Sequence, residues 1–171
     1  MKNKLVKLNL GCGEIYLKDY INCDFVKRLK VDKIVDLNKF PYPFKDNYAD
    51  EILLDNVLEH LGDLVLVMQE LHRILKKGGK LKIIVPYAKS DGAFQDPTHT
   101  HFFTEKTMDY FTLDSKLNFY STARFKKISV DLTTEDYSFL NKIRTLMPFR
   151  NRLKYIFFNM YDTLSFELEA I

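Results

Sequence analysis

Leu8-Asn9-Leu10-Gly11-Cys12-Gly13, followed by Asp19-Tyr20-Ile21-Asn22-Cys23-Asp24, carries the main structural signal in this chain. Lys4–Leu10 reads as a strand that stops at a glycine turn, and Tyr20–Asp24 as a second short strand ending on a carboxylate. A strand that runs into Gly-x-Gly lets backbone approach a ligand closely, because no side chain intervenes. An acid at the end of the next strand accepts both hydroxyls of a ribose. Together they describe a site for an adenosine-containing ligand.

Two kinds of ligand fit that description, a dinucleotide and S-adenosylmethionine (SAM). The dinucleotide fingerprint needs a third glycine, and Tyr16 stands in that place. It also needs a helix N-terminus for the pyrophosphate. About ten residues separate Gly13 from Asp24, against the roughly 20 usual between glycine loop and acid. SAM carries no phosphate and needs no such helix, so the spacing favours SAM.

Outward from this stretch, strand and helix patterns alternate. Lys33–Asp36 and Glu51–Leu54 read as strands, separated by the turn-rich segment Asn38–Asn47. Leu64, Val67, Met68, Leu71 and Leu75 recur at helical spacing between Asp63 and Leu75. Lys76 and Lys77 fall in its last turn, and Gly78-Gly79 would cap its end. Lys80–Val85 is an apolar strand stopped by Pro86, and Asp91–Phe103 a polar, aromatic loop. Thr104 would cap a short helix with Met108 and Phe111. Phe125–Leu132 is a further strand, Tyr137–Tyr161 is helical but broken at Pro148, and Leu164–Ala170 would close the sheet at its edge. The expected class is α/β: a Rossmann-like, doubly wound, mostly parallel sheet with helices on both faces and the last strand antiparallel.

The 171 residues, 46% of them hydrophobic, suit a single domain over 1–171, with residues 138–161 as a helical, lid-like insertion before the last strand. A net charge of +3 is too mild to point to nucleic acid. No apolar run approaches the roughly 20 residues of a membrane span. Lys7 and Asn9 interrupt the apolar stretch behind the N-terminal lysines, which argues against a signal peptide. Cys12 and Cys23 lack metal-ligand company and are too few for a disulfide framework. The expected compartment is the cytoplasm.

The glycine loop and Asp24 resemble the short-loop branch of class I SAM-dependent methyltransferases, the methyltransferase type 11-like group. Further segments fit in order: Val35-Asp36-Leu37 before Phe40–Phe44; Asp50–Leu54 before Val57-Leu58-Glu59-His60-Leu61; Glu70–Leu75 before Gly78-Gly79; and Asp96-Pro97-Thr98-His99 before Phe102-Phe103-Thr104. The resemblance spans roughly residues 5–111. It implies that Leu10, Gly11 and Gly13 line the methionine and ribose part of SAM. Asp24 takes the ribose diol, and Phe25 covers the adenine. Asp36 and Leu37 meet the adenine edge, and Asn56 and Val57 border the amino-acid end. Asp36 as a turn cap and Phe25 as a core residue are the plainer alternatives.

Methyl transfer is an in-line displacement that needs a nucleophile about 3–3.5 Å from the methyl and often a base. His72 sits among apolar helix positions and reads as a surface or packing residue. His60 follows the fourth strand and either orients the acceptor or fixes a turn. His99 is the candidate general base, with Asp96 orienting its ring; this scheme uses no metal. The alternatives are a metal site of Asp91, Asp96, His99 and His101, which requires an extended loop, and a loop held by those side chains. The Asn/Asp-Pro-Pro-aromatic signature of amino methylation is absent, since Asp55-Asn56-Val57-Leu58 stands there. The expected acceptor is a hydroxyl on a small molecule or, from the associations of proteins resembling this branch, a saccharide or glycan. An RNA methyltransferase and a catalytically degenerate SAM-binding partner subunit are the rival readings.

Residues 140–157 interleave Lys142, Arg144, Arg150, Arg152 and Lys154 with Leu140, Ile143, Leu146, Met147, Leu153, Ile156 and Phe157. This suits peripheral contact with the inner face of a membrane or a lipid carrier, contact with RNA phosphates, or a lid with its apolar side down and its charges in water.

Overall fold

The computed structural model describes residues 4–116, 118–134 and 139–171. Its centre is a seven-stranded sheet of β1 (Lys7–Leu10), β2 (Ile21–Asp24), β3 (Lys33–Ile34), β4 (Ala49–Asp55), β5 (Leu75–Pro86), β6 (Phe125–Thr133) and β7 (Thr163–Ala170), in the order β3-β2-β1-β4-β5-β7-β6. β1 to β5 pair in parallel, and β7 runs antiparallel to both of its neighbours. This is the Rossmann-like arrangement expected. The strand order reverses between β1 and β4, which opens a crevice at their carboxyl ends.

The connections are lean. β1 to β2 and β2 to β3 are joined by loops, because about ten residues leave no room for a helix. Two buried amides replace that helix. Asn9 Nδ2 donates to Asn22 Oδ1 at 3.0 Å, and Asn22 Nδ2 donates to the carbonyls of Leu17 and Tyr20. The main helix, α1 (Leu64–Ile74), begins where Asp63 accepts the Leu66 amide at 3.0 Å. Val67, Met68, Leu71 and Ile74 form its buried stripe. His72 rests edge-on against Phe125, as a packing residue would.

Three expectations change. Gly78-Gly79 does not cap α1, because β5 begins at Leu75 directly after it. The register steps from Ala49↔Leu75 to Glu51↔Lys80, and the intervening residues bulge around Gly78 at φ +78°. A Cβ on Gly79 would lie 2.8 Å from the Lys76 carbonyl. Second, β7 is not an edge strand. Leu164, Phe166, Leu168 and Ala170 are buried, which seats β7 between β5 and β6. The edge passes to β6, whose Lys126, Lys127 and Asp131 tolerate it. Third, Thr104 does not cap the helical turn Thr107–Phe111; the Thr107 hydroxyl instead accepts the Thr104 amide at 2.9 Å.

Residues 137 and 138, where the C-terminal helical segment was expected to begin, lie outside the described residues. Beyond them come α2 (Phe139–Leu146) and α3 (Arg150–Leu153), parted around Pro148. Three cations here do not face water. Arg144 forks onto Asp162, Arg150 donates to the Met160 carbonyl, and Lys154 pairs with Glu105. Leu146, 83% exposed, and Phe149, 74% exposed, point outward instead. A lid with its apolar side down and its charges in water is therefore not what the segment forms.

Candidate active site

At the carboxyl ends of β1, β2 and β4 lies a cavity of about 590 Å³. Gly11, Asp24, Phe25, Asp36, Leu37, Asn56, Val57 and His60 line it, with Val35, Asn38, Leu61 and Thr98. Most of the expected cofactor residues thus meet at one place. Leu10 does not line it, because its side chain is wholly buried in the core. Gly13 stands just behind.

The glycine loop is shaped by its neighbours. Gly11 adopts φ +70°, and a Cβ there would lie 2.6 Å from Val57 Cγ2. Only glycine lets β1 turn so close to the segment after β4. Gly13, at φ +51°, faces open space. Its amide donates to Asp24 Oδ2 at 2.9 Å, and the Val26 amide donates to Asp24 Oδ1 at 2.9 Å. Asp24 therefore fastens the loop that it was expected to serve. A carboxylate has about four acceptor positions, so each oxygen keeps one for a ribose hydroxyl. The exposed Phe25 ring stands beside it as a wall for a flat base. These residues fit the adenosine half of SAM.

Asp36 is a turn former as well as a lining residue. Its Oδ1 accepts the Asn38 amide and its Oδ2 pairs with Lys39, and these contacts hold its carboxyl below the usual range. Leu37 is buried, with its carbonyl accepting from the Tyr42 hydroxyl at 2.8 Å. Asn56 sits in the left-handed region at φ +53°, anchored through its amide to the Ile84 carbonyl. That strained turn sends Val57 under the glycine loop and starts the helical turn Leu58–His60.

A second cavity of about 270 Å³ adjoins the first, and Asn56 and His60 line both. Glu59, Gln95, Asp96, His99 and Thr163 contribute further polar groups. Here the structure revises the acid–histidine pairing. Asp96 does not orient His99. Its Oδ1 accepts from the amide and hydroxyl of Thr98, and Thr98 Oγ1 lies 2.8 Å from His60 Nδ1. Since the Thr98 proton goes to Asp96, His60 Nδ1 is the donor. His99 Nδ1 donates to the Ala93 carbonyl at 2.9 Å. Each ring thus keeps Nε2 unprotonated in its neutral form.

The alternative cluster of Asp91, Asp96, His99 and His101 does not assemble. Asp91 accepts from Asn159, and His101 Nε2 contacts the Gly62 carbonyl. Glu59 enters from sequence only as part of the Val57–Leu61 segment, with no role of its own. It is only 1% exposed, and neither carboxylate oxygen has a hydrogen-bond partner among the described residues. Burial pushes its carboxyl up to about 7, with nearby His99 opposing the shift.

A family described as a methyltransferase domain matches residues 8–83. The uncharacterized protein MJ0638 of Methanocaldococcus jannaschii is 36% identical over 97 residues, covering 49% of this chain and 42% of its own length. The match therefore spans less than half of that relative. A SAM-dependent methyltransferase from Archaeoglobus fulgidus superposes with a TM-score of 0.68 at 16% identity, over 98% of this chain and 87% of its own. A methyltransferase in complex with the Haloferax volcanii activator Trm112 superposes at 0.64 and 15%, over 98% and 83%. At such identities the structural likeness speaks for the fold. The fold is thus that of SAM-dependent methyltransferases, and residues 8–83 of it match a methyltransferase domain.

Proposed function

We propose that this protein transfers a methyl group from SAM to a hydroxyl of a small molecule or sugar. The observation that carries the reading is the pair of adjoining cavities sharing Asn56 and His60. One has the glycine turn, ribose-binding acid and aromatic wall of an adenosine site. The other is small and walled by hydrogen-bonding side chains, which suits a hydroxyl-rich acceptor of about one ring. SAM supplies an electrophilic methyl group when bound. The chain's own part is to hold the acceptor oxygen in line and take up its hydrogen bond, through the Nε2 atoms of His60 and His99. Asp96 acts on His60 through Thr98.

The acceptor cavity also speaks against a degenerate SAM-binding subunit, which would need none. The test is S-adenosylhomocysteine release across a panel of hydroxylated acceptors, sugars and nucleotide-linked sugars included. Turnover confined to amines or RNA would overturn the hydroxyl assignment.

The outward-facing Leu146, Phe149, Tyr155 and Ile156, beside exposed Lys142 and Arg152, support a peripheral contact with an anionic membrane and an acceptor presented there. Among the described residues no helix is long and apolar enough to cross a membrane.

A further inference from the structure

We propose that Glu59, His60 and His99 bind one divalent transition-metal ion, of the zinc, cobalt or manganese class, where the two cavities meet. One ligand atom from each side chain lies within 4.8 Å of the others. They come from two loops, the helical turn after β4 and the segment after β5. Two imidazoles and one carboxylate, with the remaining positions open, form a donor set suited to such ions.

Glu59 is the first independent reason to place an ion here. Glu59 is among the residues lining the smaller cavity, is almost wholly buried, and its carboxylate lacks any hydrogen-bond partner among the described residues. A bare buried carboxylate is costly unless a cation or donor meets it. Among the described residues no lysine or arginine pairs with it. A divalent ion between Glu59 and the histidines removes that cost.

The second reason is the direction of the rings. A metal-bound histidine characteristically donates its other ring nitrogen to a carbonyl or carboxylate, which fixes its orientation. His99 Nδ1 donates to the Ala93 carbonyl. His60 Nδ1 donates to Thr98 Oγ1, which hands its own proton to Asp96 at 2.7 Å. Both rings are set with Nδ1 occupied and Nε2 available. Metal–ligand distances of about 2.0–2.2 Å put ligand atoms roughly 3.4 Å apart, so the side chains close inward by about an ångström or so on binding.

The ion's use rests on the methyl-transfer reading, whereas its binding does not. Open coordination positions face the cavity assigned to the acceptor. A hydroxyl on the ion becomes more acidic, as bound water does. Its O–H bond breaks and the proton passes to water in the open cavity. The oxygen's electron pair then forms the new bond to the methyl carbon, while the carbon–sulfur bond breaks with its pair left on sulfur. With the ion in place, His60 and His99 hold it instead of contacting the acceptor directly.

The test uses the full chain, stripped with a chelator and titrated with Co²⁺. The expected result is one equivalent bound, with ligand-field bands in the visible. His60→Gln and His99→Gln should each weaken binding at least tenfold, and Thr98→Val by about tenfold through the loss of ring support. His72→Gln, on α1, should bind as the unaltered protein does. Circular dichroism and thermal melting of each variant verify its fold. Absence of bands in the unaltered protein, or bands that survive His99→Gln in a folded protein, would overturn the site. Undiminished S-adenosylhomocysteine release after chelation, without cobalt binding, would remove the ion and leave the methyl-transfer reading standing. Cobalt binding without any release would do the reverse.

Discussion

The imidazole of His60 meets that of His99 edge-on, with ring centroids 4.7 Å apart and planes at 67°. The two residues belong to loops that leave neighbouring parallel strands, β4 and β5, at the same end of the sheet. Their contact ties the turn that borders the larger cavity to the loop that walls the smaller one. A change in one loop is therefore expected to register in the other.

That coupling runs through Thr98. Replacing Thr98 with Val keeps the shape but removes the hydroxyl between Asp96 and His60. Turnover should fall by roughly ten- to a hundredfold, while SAM affinity measured by calorimetry stays close to that of the unaltered protein. Equal losses in both would make Thr98 a cofactor contact instead.

Asp24→Ala should weaken SAM binding at least tenfold. A charge-assisted hydrogen bond is worth about 1.5–3 kcal/mol, and the variant also frees the Gly13 and Val26 amides. Calorimetry with SAM and S-adenosylhomocysteine reads the loss; unchanged affinity would refute the role given to Asp24.

Gly11→Ala should destabilise the fold by about 1–3 kcal/mol, because alanine is strained at a positive φ and meets Val57. Adding Val57→Ala removes the collision but not the backbone strain. The double variant should recover part, not all, of the urea midpoint lost by Gly11→Ala.

Glu70 makes acid sensitivity local. Arg73 grips its carboxylate through Nε and Nη2, and the Tyr42 amide donates to it at 2.7 Å. These contacts hold its pKa below the ordinary value. Its contribution is then complete above the unfolded pKa and fades as pH falls through the folded one. Glu70→Gln should cost about 1–3 kcal/mol at neutral pH, and the gap to the unaltered protein should narrow below about pH 4. Denaturation curves across that range check both parts.

The outward apolar side chains of the C-terminal segment give a separate outcome. The protein should sediment with vesicles containing anionic lipid at low salt, and Phe149→Asp with Ile156→Asp should abolish this. Equal recovery in the supernatant with and without vesicles would exclude the contact.

Much of the framework was legible because it rests on local rules. The glycine turn, the acid after β2 and the apolar stripe of α1 each follow from spacing along one segment. Gly78-Gly79 misled because a glycine pair after a helix and a glycine bulge inside a strand look the same without the partner strand Ala49–Asp55. The seat of β7 depends on β6, which local pattern cannot reveal. In the site, Asp96 was matched with His99 by closeness in sequence, whereas its hydrogen bonds run to Thr98 and on to His60. Glu59 was overlooked because its surroundings come from residues about forty positions later.

The placing of β7 between β5 and β6 has a consequence for biogenesis. β6 is synthesised before β7, the named strand it pairs with among the described residues, so its backbone waits on Thr163–Ala170. Its unpaired edges stay open while α2 and α3 emerge. The sheet closes late and by distant contacts, a slow class of event during which chains associate wrongly. Ribosome-bound intermediates ending before residue 163 should accordingly engage chaperones through β6, and release should follow emergence of the final strand.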